Sequence, residues 1–222
     1  MRKQKKRNKL FAILVACVMV LGMFPSIPGF AADATVVDAE GLIAAAETGG
    51  TITLGADITL TERLELKADT VLDLNGHKLT STSTESSAVY APYVTGTQPS
   101  LTVKDSSGTD SGSITASTKY LFSFNGKVTI EGGTLTLDSS TESRVVGVDC
   151  DAFTMTGGKL AVNAAAENSI AYGVDCSGPL EISGDSVIQA TAPYAAYSVE
   201  GSGSQEETAA ISGNAQLTGR VA

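Results

Sequence analysis

The sequence repeats itself with a period of about 25 residues, and this period constrains the fold more than any other feature. Four similar segments follow one another at nearly equal intervals, beginning at Leu121, Val145, Ala171 and Ala196. A second similar segment follows each of them, beginning at Val128, Phe153, Leu180 and Ala209. Because two features recur in the same order at one period, the sequence indicates a repeat architecture.

Within each repeat, apolar and polar residues alternate until a glycine interrupts them, as in Val128–Leu135. Alternation sends one face of a short strand inward, and glycine accepts the turn that follows. One coil cannot bury its apolar face alone, but coils stacked about 4.8 Å apart bury a continuous column. We therefore predict an all-β, single-stranded parallel β-helix, or β-solenoid, with about 25 residues per coil.

The N-terminal half carries the same pattern less regularly. Short alternating stretches predict strands at 51–54, 57–60, 64–66, 71–74, 77–79, 101–103 and 113–115, with protruding loops at 81–87 and 105–112. Before them, Val36–Ala46 favours a short helix with Asp38 as its N-cap and Gly49-Gly50 at its end. We assign 35–50 to an N-terminal capping helix that leads into the first coil, and 51–222 to the β-helix.

The segment 1–34 has the composition of a signal peptide. A basic cluster precedes an apolar run from Leu10 to Phe24, and Ala32-Asp33-Ala34 offers a cleavage site after Ala34, with Ala32 as the alternative. An uncleaved anchor helix is the other interpretation, but the run is shorter than the roughly 20 residues that a membrane span needs. We expect a protein that is secreted, either extracellular or at the cell surface.

The charge of the mature chain restricts its partners. Removing residues 1–34 leaves nine basic and 23 acidic residues, a formal charge of −14. This charge disfavours nucleic acid and anionic lipid as partners and suits cations or basic partners, although solubility alone also accounts for it. No later apolar stretch approaches membrane length, so no membrane span is expected after signal cleavage.

One repeat position is acidic. Asn125, Asp149, Asp175 and Glu200 align there and are expected to form an outward ladder on successive coils. Such a ladder is compatible with a bound Ca²⁺, with a carboxyl pair suited to retaining glycoside chemistry, or with solvated strand ends. Lyase chemistry also needs a basic residue nearby, and only Arg144 and Lys159 qualify. We assign no catalytic residue, and we expect no cofactor other than this Ca²⁺.

Two further pairs share repeat positions. Cys150 and Cys176 are expected on adjacent coils, facing inward, as stacked thiols or as a disulfide; the parallel direction of their side chains favours thiols. Tyr172 and Tyr197 are expected to stack, and an interior stack is preferred over an exposed stripe that would suit sugar binding.

The stretches Gly49–Leu60 and Val71–Leu79 resemble the opening coils of pectate-lyase-like right-handed β-helix proteins of bacterial surfaces. The resemblance covers most of residues 35–222 and implies a right-handed coil. That superfamily includes polysaccharide lyases, hydrolases and adhesin-like proteins without known catalysis. The matching residues are structural, so the resemblance transfers no catalytic residue to this chain.

We expect a non-catalytic, adhesin-like binding module at the cell surface or in the extracellular space, with extracellular polysaccharide or a surface protein as its partner. A polysaccharide lyase or glycoside hydrolase of the β-helix type is the alternative. A structural spacer, or a fragment of a longer surface protein, is the second alternative. Because 209–221 still has the pattern of a coil, the C-terminal end is expected to dock a partner or further coils.

Overall fold

The computed structural model describes residues 33–93, 96, 98–109, 111–201 and 209–221. They belong to one unit, Ala31–Ala222. The predicted signal peptide, apart from Asp33 and Ala34, lies outside the described residues. Among the described residues, no helix is long and apolar enough to cross a membrane.

The chain forms a right-handed parallel β-helix, as predicted, in which each coil adds one strand to each of three parallel sheets. Sheet 1 contains, in spatial order, β1 (Ala34–Val36), β2 (Gly50–Leu54), β5 (Thr70–Asp73), β8 (Leu101–Lys104), β11 (Lys127–Ile130), β14 (Ala152–Met155), β17 (Leu180–Ile182) and β20 (Ala209–Ile211). Sheet 2 contains β3 (Ile58–Leu60), β6 (Lys78–Ser81), β9 (Ser113–Ala116), β12 (Thr134–Ser139), β15 (Lys159–Ala164), β18 (Val187–Thr191) and β21 (Gln216–Thr218). Sheet 3 contains β4 (Leu64–Glu65), β7 (Ser87–Ala91), β10 (Tyr120–Phe124), β13 (Arg144–Cys150), β16 (Ile170–Cys176), β19 (Ala195–Gly201) and β22 (Arg220–Val221).

The predicted apolar column runs along the inside of the coils. In sheet 1 it consists of one inward residue from each successive strand, all but the last of them buried: Ile52, Leu72, Val103, Ile130, Met155, Ile182 and Ile211. The last of these, Ile211, is 46% exposed because it lies in the final coil of the described residues. Stacking therefore buries what no coil could bury alone.

The N-terminal cap is one short helix, α1 (Ala39–Ala46), which buries Leu42 and Ala46. Its N-cap is Asp38, as predicted, whose carboxylate accepts a hydrogen bond of 2.8 Å from the Gly41 amide. The predicted start at Val36 is wrong, since Val36 lies in β1 and pairs with Leu54 of β2. Pairing with the first coil thus overrides the local helical pattern.

The N-terminal coils are less uniform than the later ones. Gly50 pairs with Thr70, which makes a short coil, whereas Leu79 pairs with Ile114 across a much longer one. The longer coil accommodates the loop at 105–112. The sequence does not predict strand β7, because Ser87–Ala91 shows no clear alternation of apolar and polar residues; four of its five residues are buried.

Asp105 holds the loop at 105–112 against the coil below it. Its carboxylate accepts hydrogen bonds from the amides of Gly76 (2.8 Å), Ser107 (3.2 Å) and Gly112 (2.7 Å). Burial by itself would raise the pKa of this carboxyl group, but the backbone hydrogen bonds outweigh burial and lower the pKa. The loop is therefore anchored by an ionised side chain.

Candidate functional site

The tyrosines are concentrated on sheet 3. The chain has six tyrosines, and each lies in a strand of sheet 3 or close to the end of one: Tyr90, Tyr93, Tyr120, Tyr172, Tyr194 and Tyr197. The four within strands are partly exposed, whereas Tyr93 and Tyr194 are each 71% exposed. The described phenylalanines, in contrast, face the core. Sheet 3 therefore carries a distinct aromatic outer face.

A break in alternation turns these tyrosines outward. At Gly147 an added Cβ would lie 2.5 Å from the Gly173 carbonyl oxygen and 2.7 Å from Val162 Cγ2, so this position points into the packed core. The next residue, Val148, is also inward. Two consecutive inward positions reverse the alternation. The predicted interior stack is therefore wrong. Gly173 and Val174 are the two consecutive inward residues in the next coil, so Tyr172, which precedes Gly173, faces outward.

Two columns of side chains run side by side on this face. One consists of Tyr120, Val146, Tyr172 and Tyr197 on successive coils. The other consists of Ser123, Asp149, Asp175 and Glu200. We refer to the residues that these columns and Arg144 bring together as the sheet-3 patch: Tyr120, Arg144, Val146, Asp149, Tyr172, Asp175, Tyr197 and Glu200.

The acidic ladder has three of its four predicted members. Asp149, Asp175 and Glu200 are in register, but Asn125 is not, because Asp149 pairs with Ser123. Asn125 lies beyond the end of β10 and is exposed. Shifting the alignment by two residues keeps every side chain on the same face of the strand, so the hydrophobic pattern does not distinguish the two alignments.

Arg144 organises the centre of the patch. Its guanidinium lies 4.7 Å from the centre of the Tyr172 ring, donates a hydrogen bond of 3.3 Å to the Tyr120 hydroxyl, and forms an ion pair with Asp175. The side chain thus spans the gap that Val146 leaves in the tyrosine column. Val146 is fully buried although it lies outside the continuous core, because these neighbours cover it.

Two of the tyrosine rings pack against each other. Tyr172 and Tyr197 stack with their centres 5.2 Å apart and their planes 10° from parallel. Tyr172 is therefore in contact with Arg144 and with Tyr197, and its side chain is partly exposed. Other cations lie over tyrosines of the same sheet: Arg63 is 4.4 Å from the centre of the Tyr90 ring, and Lys119 is 5.1 Å from that of Tyr120.

The carboxyl groups of the patch differ in their electrostatic environments. Burial, and next the charge of Asp175, raise the pKa of Asp149, while Arg144 partly opposes them. Burial and the charge of Asp175 likewise raise the pKa of Glu200. The Asp175 carboxylate is bound by Arg144, and its side chain is only 17% exposed. The charge of Asp175 is thus balanced by Arg144, whereas the charged forms of Asp149 and Glu200 are destabilised.

The two cysteines lie directly behind this patch. Cys150 and Cys176 pair in register, each immediately after an acidic residue of the patch, and both are buried thiols that are not joined in a disulfide. A hydrogen bond with Cys176, followed by burial, raises the pKa of the Cys150 thiol well above its usual value. Of the two alternatives that the sequence left open, the structure contains the stacked thiols.

Other candidate chemistry is distributed elsewhere. Lys159 lies on β15 in sheet 2, away from the ladder. Within the described part of the chain, no group of three or more His, Cys, Asp or Glu residues is placed to hold a metal ion. Sequence reasoning missed Tyr120 and the central position of Arg144. The signal that could have found them is the restriction of all tyrosines to one segment of each repeat.

Comparisons of the chain with protein-family models, with curated proteins and with solved structures find no match. The resemblance noted from the sequence is therefore supported for the fold, a parallel β-helix, and for nothing finer.

Proposed function

We propose that the protein is a secreted or cell-surface β-helix module that binds a glycan, without cleaving it, on the outer face of sheet 3. The observation that carries this proposal is the concentration of the six tyrosines at that one sheet, four within its strands and two close to strand ends. Tyrosine combines a large apolar surface with a hydroxyl group, which suits the alternating apolar and polar faces of sugars.

The contacts within the patch support the same function. The stacked rings and the Arg144 contacts fix the patch in advance, so binding costs little conformational entropy. From Tyr90 to Tyr197 the face extends over four coil steps, about 19 Å at the spacing of β-strands. An oligosaccharide lying along the helix axis would meet the ring edges, the hydroxyls and the carboxylates in turn, with Tyr194 offering an open ring.

Binding to immobilised oligosaccharides tests the proposal. Tyr194→Ala should weaken binding about threefold to tenfold, since an aromatic contact contributes about 0.5–1.5 kcal/mol. Thr136→Ala, on the outer face of sheet 2, is the matched control and should leave binding unchanged. The proposal is wrong if the protein retains no glycan, or if both variants bind as the wild type does.

A glycoside hydrolase is the second candidate, and one observation favours it. Asp149 and Asp175 are partners on adjacent strands, about 4.8 Å apart at the backbone, near the separation of about 5 Å in retaining enzymes. The raised pKa of Asp149 suits a general acid, and Asp175 beside it forms an ion pair with Arg144. Release of reducing ends by the wild type, lost in both Asp149→Asn and Asp175→Asn, would favour this candidate over binding alone.

A further inference from the structure

The charges around the tyrosines determine which glycans can approach them. Asp149, Asp175 and Glu200 lie on three successive coils, about 4.8 Å apart at the backbone, and Asp151 adds a fourth acidic charge nearby. The cations that act on Asp149 are Arg144 and Lys119. The face that the tyrosines define therefore has a surplus of negative charge.

The two cations that act on Asp149 already have other contacts. Arg144 is bound to Asp175 and to the Tyr120 hydroxyl, and it covers the Tyr172 ring. Lys119 lies over the Tyr120 ring. An acidic sugar would have to displace one of these contacts, and it would also face the carboxylates of Asp149 and Glu200, whose charges Arg144 offsets only in part. Among the described residues of the patch, the one ion pair is that of Arg144 with Asp175.

We infer that the ligand of this face is a glycan that carries amino groups, not one that carries acid groups. This inference rests on the proposed function, because the tyrosines define the site and the carboxylates set the charge that it accepts. An ammonium group beside Asp149 or Glu200 would gain a charged hydrogen bond to a partly buried carboxylate, and it would relieve the repulsion along the ladder.

Three oligosaccharides of equal length separate charge from shape: oligomers of glucosamine, of N-acetylglucosamine and of galacturonic acid. The first two differ in the acetyl groups that remove the positive charges. Isothermal titration of the purified protein should give binding about tenfold tighter for the glucosamine oligomer than for its acetylated counterpart. The galacturonate oligomer should bind weakest. Added salt should reduce the preference, because it screens exposed charges.

Variants connect the preference to the named carboxylates. Asp149→Asn and Glu200→Gln should each reduce affinity for the glucosamine oligomer about threefold, and the double variant should lose the preference for it over the acetylated oligomer. Glu181→Gln, exposed on sheet 1, changes the net charge as much as either single substitution does and should leave the preference intact.

The inference is overturned if the galacturonate oligomer binds as tightly as the glucosamine oligomer, or if the double variant keeps the wild-type preference. Equal binding of the two glucosamine-based oligomers would also overturn it while leaving the glycan-binding function in place. Failure of all three oligomers and of a wider glycan panel to bind would instead remove the proposed function, and this inference with it.

Discussion

The guanidinium of Arg144 covers one face of the Tyr172 ring at a distance of 4.7 Å, although the two residues lie on different coils. The contact exists because Val146, and not a third aromatic residue, separates Tyr120 from Tyr172 in the tyrosine column. The missing ring leaves room for a guanidinium, and that guanidinium neutralises Asp175. A single arginine therefore connects the aromatic column to the acidic one.

Replacing Arg144 should destabilise the β-helix. Arg144→Ala uncovers Val146, removes a cation–π contact and leaves Asp175 without its ion pair, so we expect a loss of about 1–2 kcal/mol in the free energy of unfolding. Arg144→Lys should recover only part of this loss, since an ammonium group cannot bond Asp175 and Tyr120 in the planar arrangement of a guanidinium. Urea denaturation measures the free energy of unfolding of both variants. Lys127→Ala, exposed on sheet 1, is the control, and an equal loss there would contradict the prediction.

The sequence predicts the architecture well because the fold repeats. The regular period, the alternation and the glycine turns all identify stacked coils, and the second segment of each repeat aligns as predicted, with Val128, Phe153, Leu180 and Ala209 in register. The alignment of the first segment failed at Asn125, because a slip by one full alternation leaves the inward pattern unchanged.

The site was harder to predict than the fold, since it depends on which face a residue occupies. Strict alternation places Tyr172 beside Val174 on the inside. The structure reverses alternation at Gly173, where an added Cβ would lie 2.4 Å from the Ser198 carbonyl oxygen. A glycine within a strand was the available signal for such an irregularity. The contacts of Arg144 join different coils, so they follow from the three-dimensional register alone.

The glycines that reverse the alternation should not tolerate a side chain. Gly147→Ala places a Cβ 2.5 Å from a backbone oxygen of the next coil, which cannot move without disturbing the sheet, so we expect a loss of about 2 kcal/mol or more in unfolding free energy. Gly201→Ala, in strand β19 of the same sheet, meets nothing within 4 Å and should be nearly neutral. Thermal denaturation compares the two. Similar melting temperatures for both variants would show that the core accommodates the added methyl group.

The two cysteine thiols should not react with thiol reagents in the native protein. Cys150 is 3% exposed and Cys176 is fully buried, and the raised pKa of Cys150 further reduces the thiolate that reacts. We expect a maleimide to label neither residue under native conditions, and to label both after denaturation without reductant. Peptide mapping by mass spectrometry identifies the labelled positions. Recovery of a disulfide-linked peptide would contradict the thiol form.

Asp105 should stabilise the fold above acidic pH. Its hydrogen bonds lower its pKa from the ordinary value of 3.8, so its contribution is complete above that value and is lost as the pH falls through the lower pKa of the folded state. Asp105→Ala should cost about 2 kcal/mol at neutral pH, because three backbone amides lose their acceptor. The difference from the wild type should shrink in denaturation experiments below pH 3.8. A difference that is constant across this range would mean that the charged form is not what holds the loop.

Asp149 should have the opposite effect on stability. Because burial and the charge of Asp175 raise its pKa, the ionised form is penalised in the folded protein, and Asp149→Asn should stabilise the fold at neutral pH by about 0.5–1 kcal/mol. The gain should vanish as the pH falls through the raised pKa and below the unfolded value of 3.8, where both states carry a neutral carboxyl group.

The same substitution is expected to weaken binding of an amino glycan, so Asp149→Asn should raise stability while it lowers affinity. If Asp149 only stabilised the fold, its replacement would not raise stability. A residue that serves binding at a cost in stability should show both the gain in stability and the loss of affinity. Glu181→Gln, which removes an exposed charge from sheet 1, should change neither quantity. Denaturation and titration of both variants at neutral pH measure the two effects together, and a loss of stability in Asp149→Asn would show that this carboxylate serves the fold.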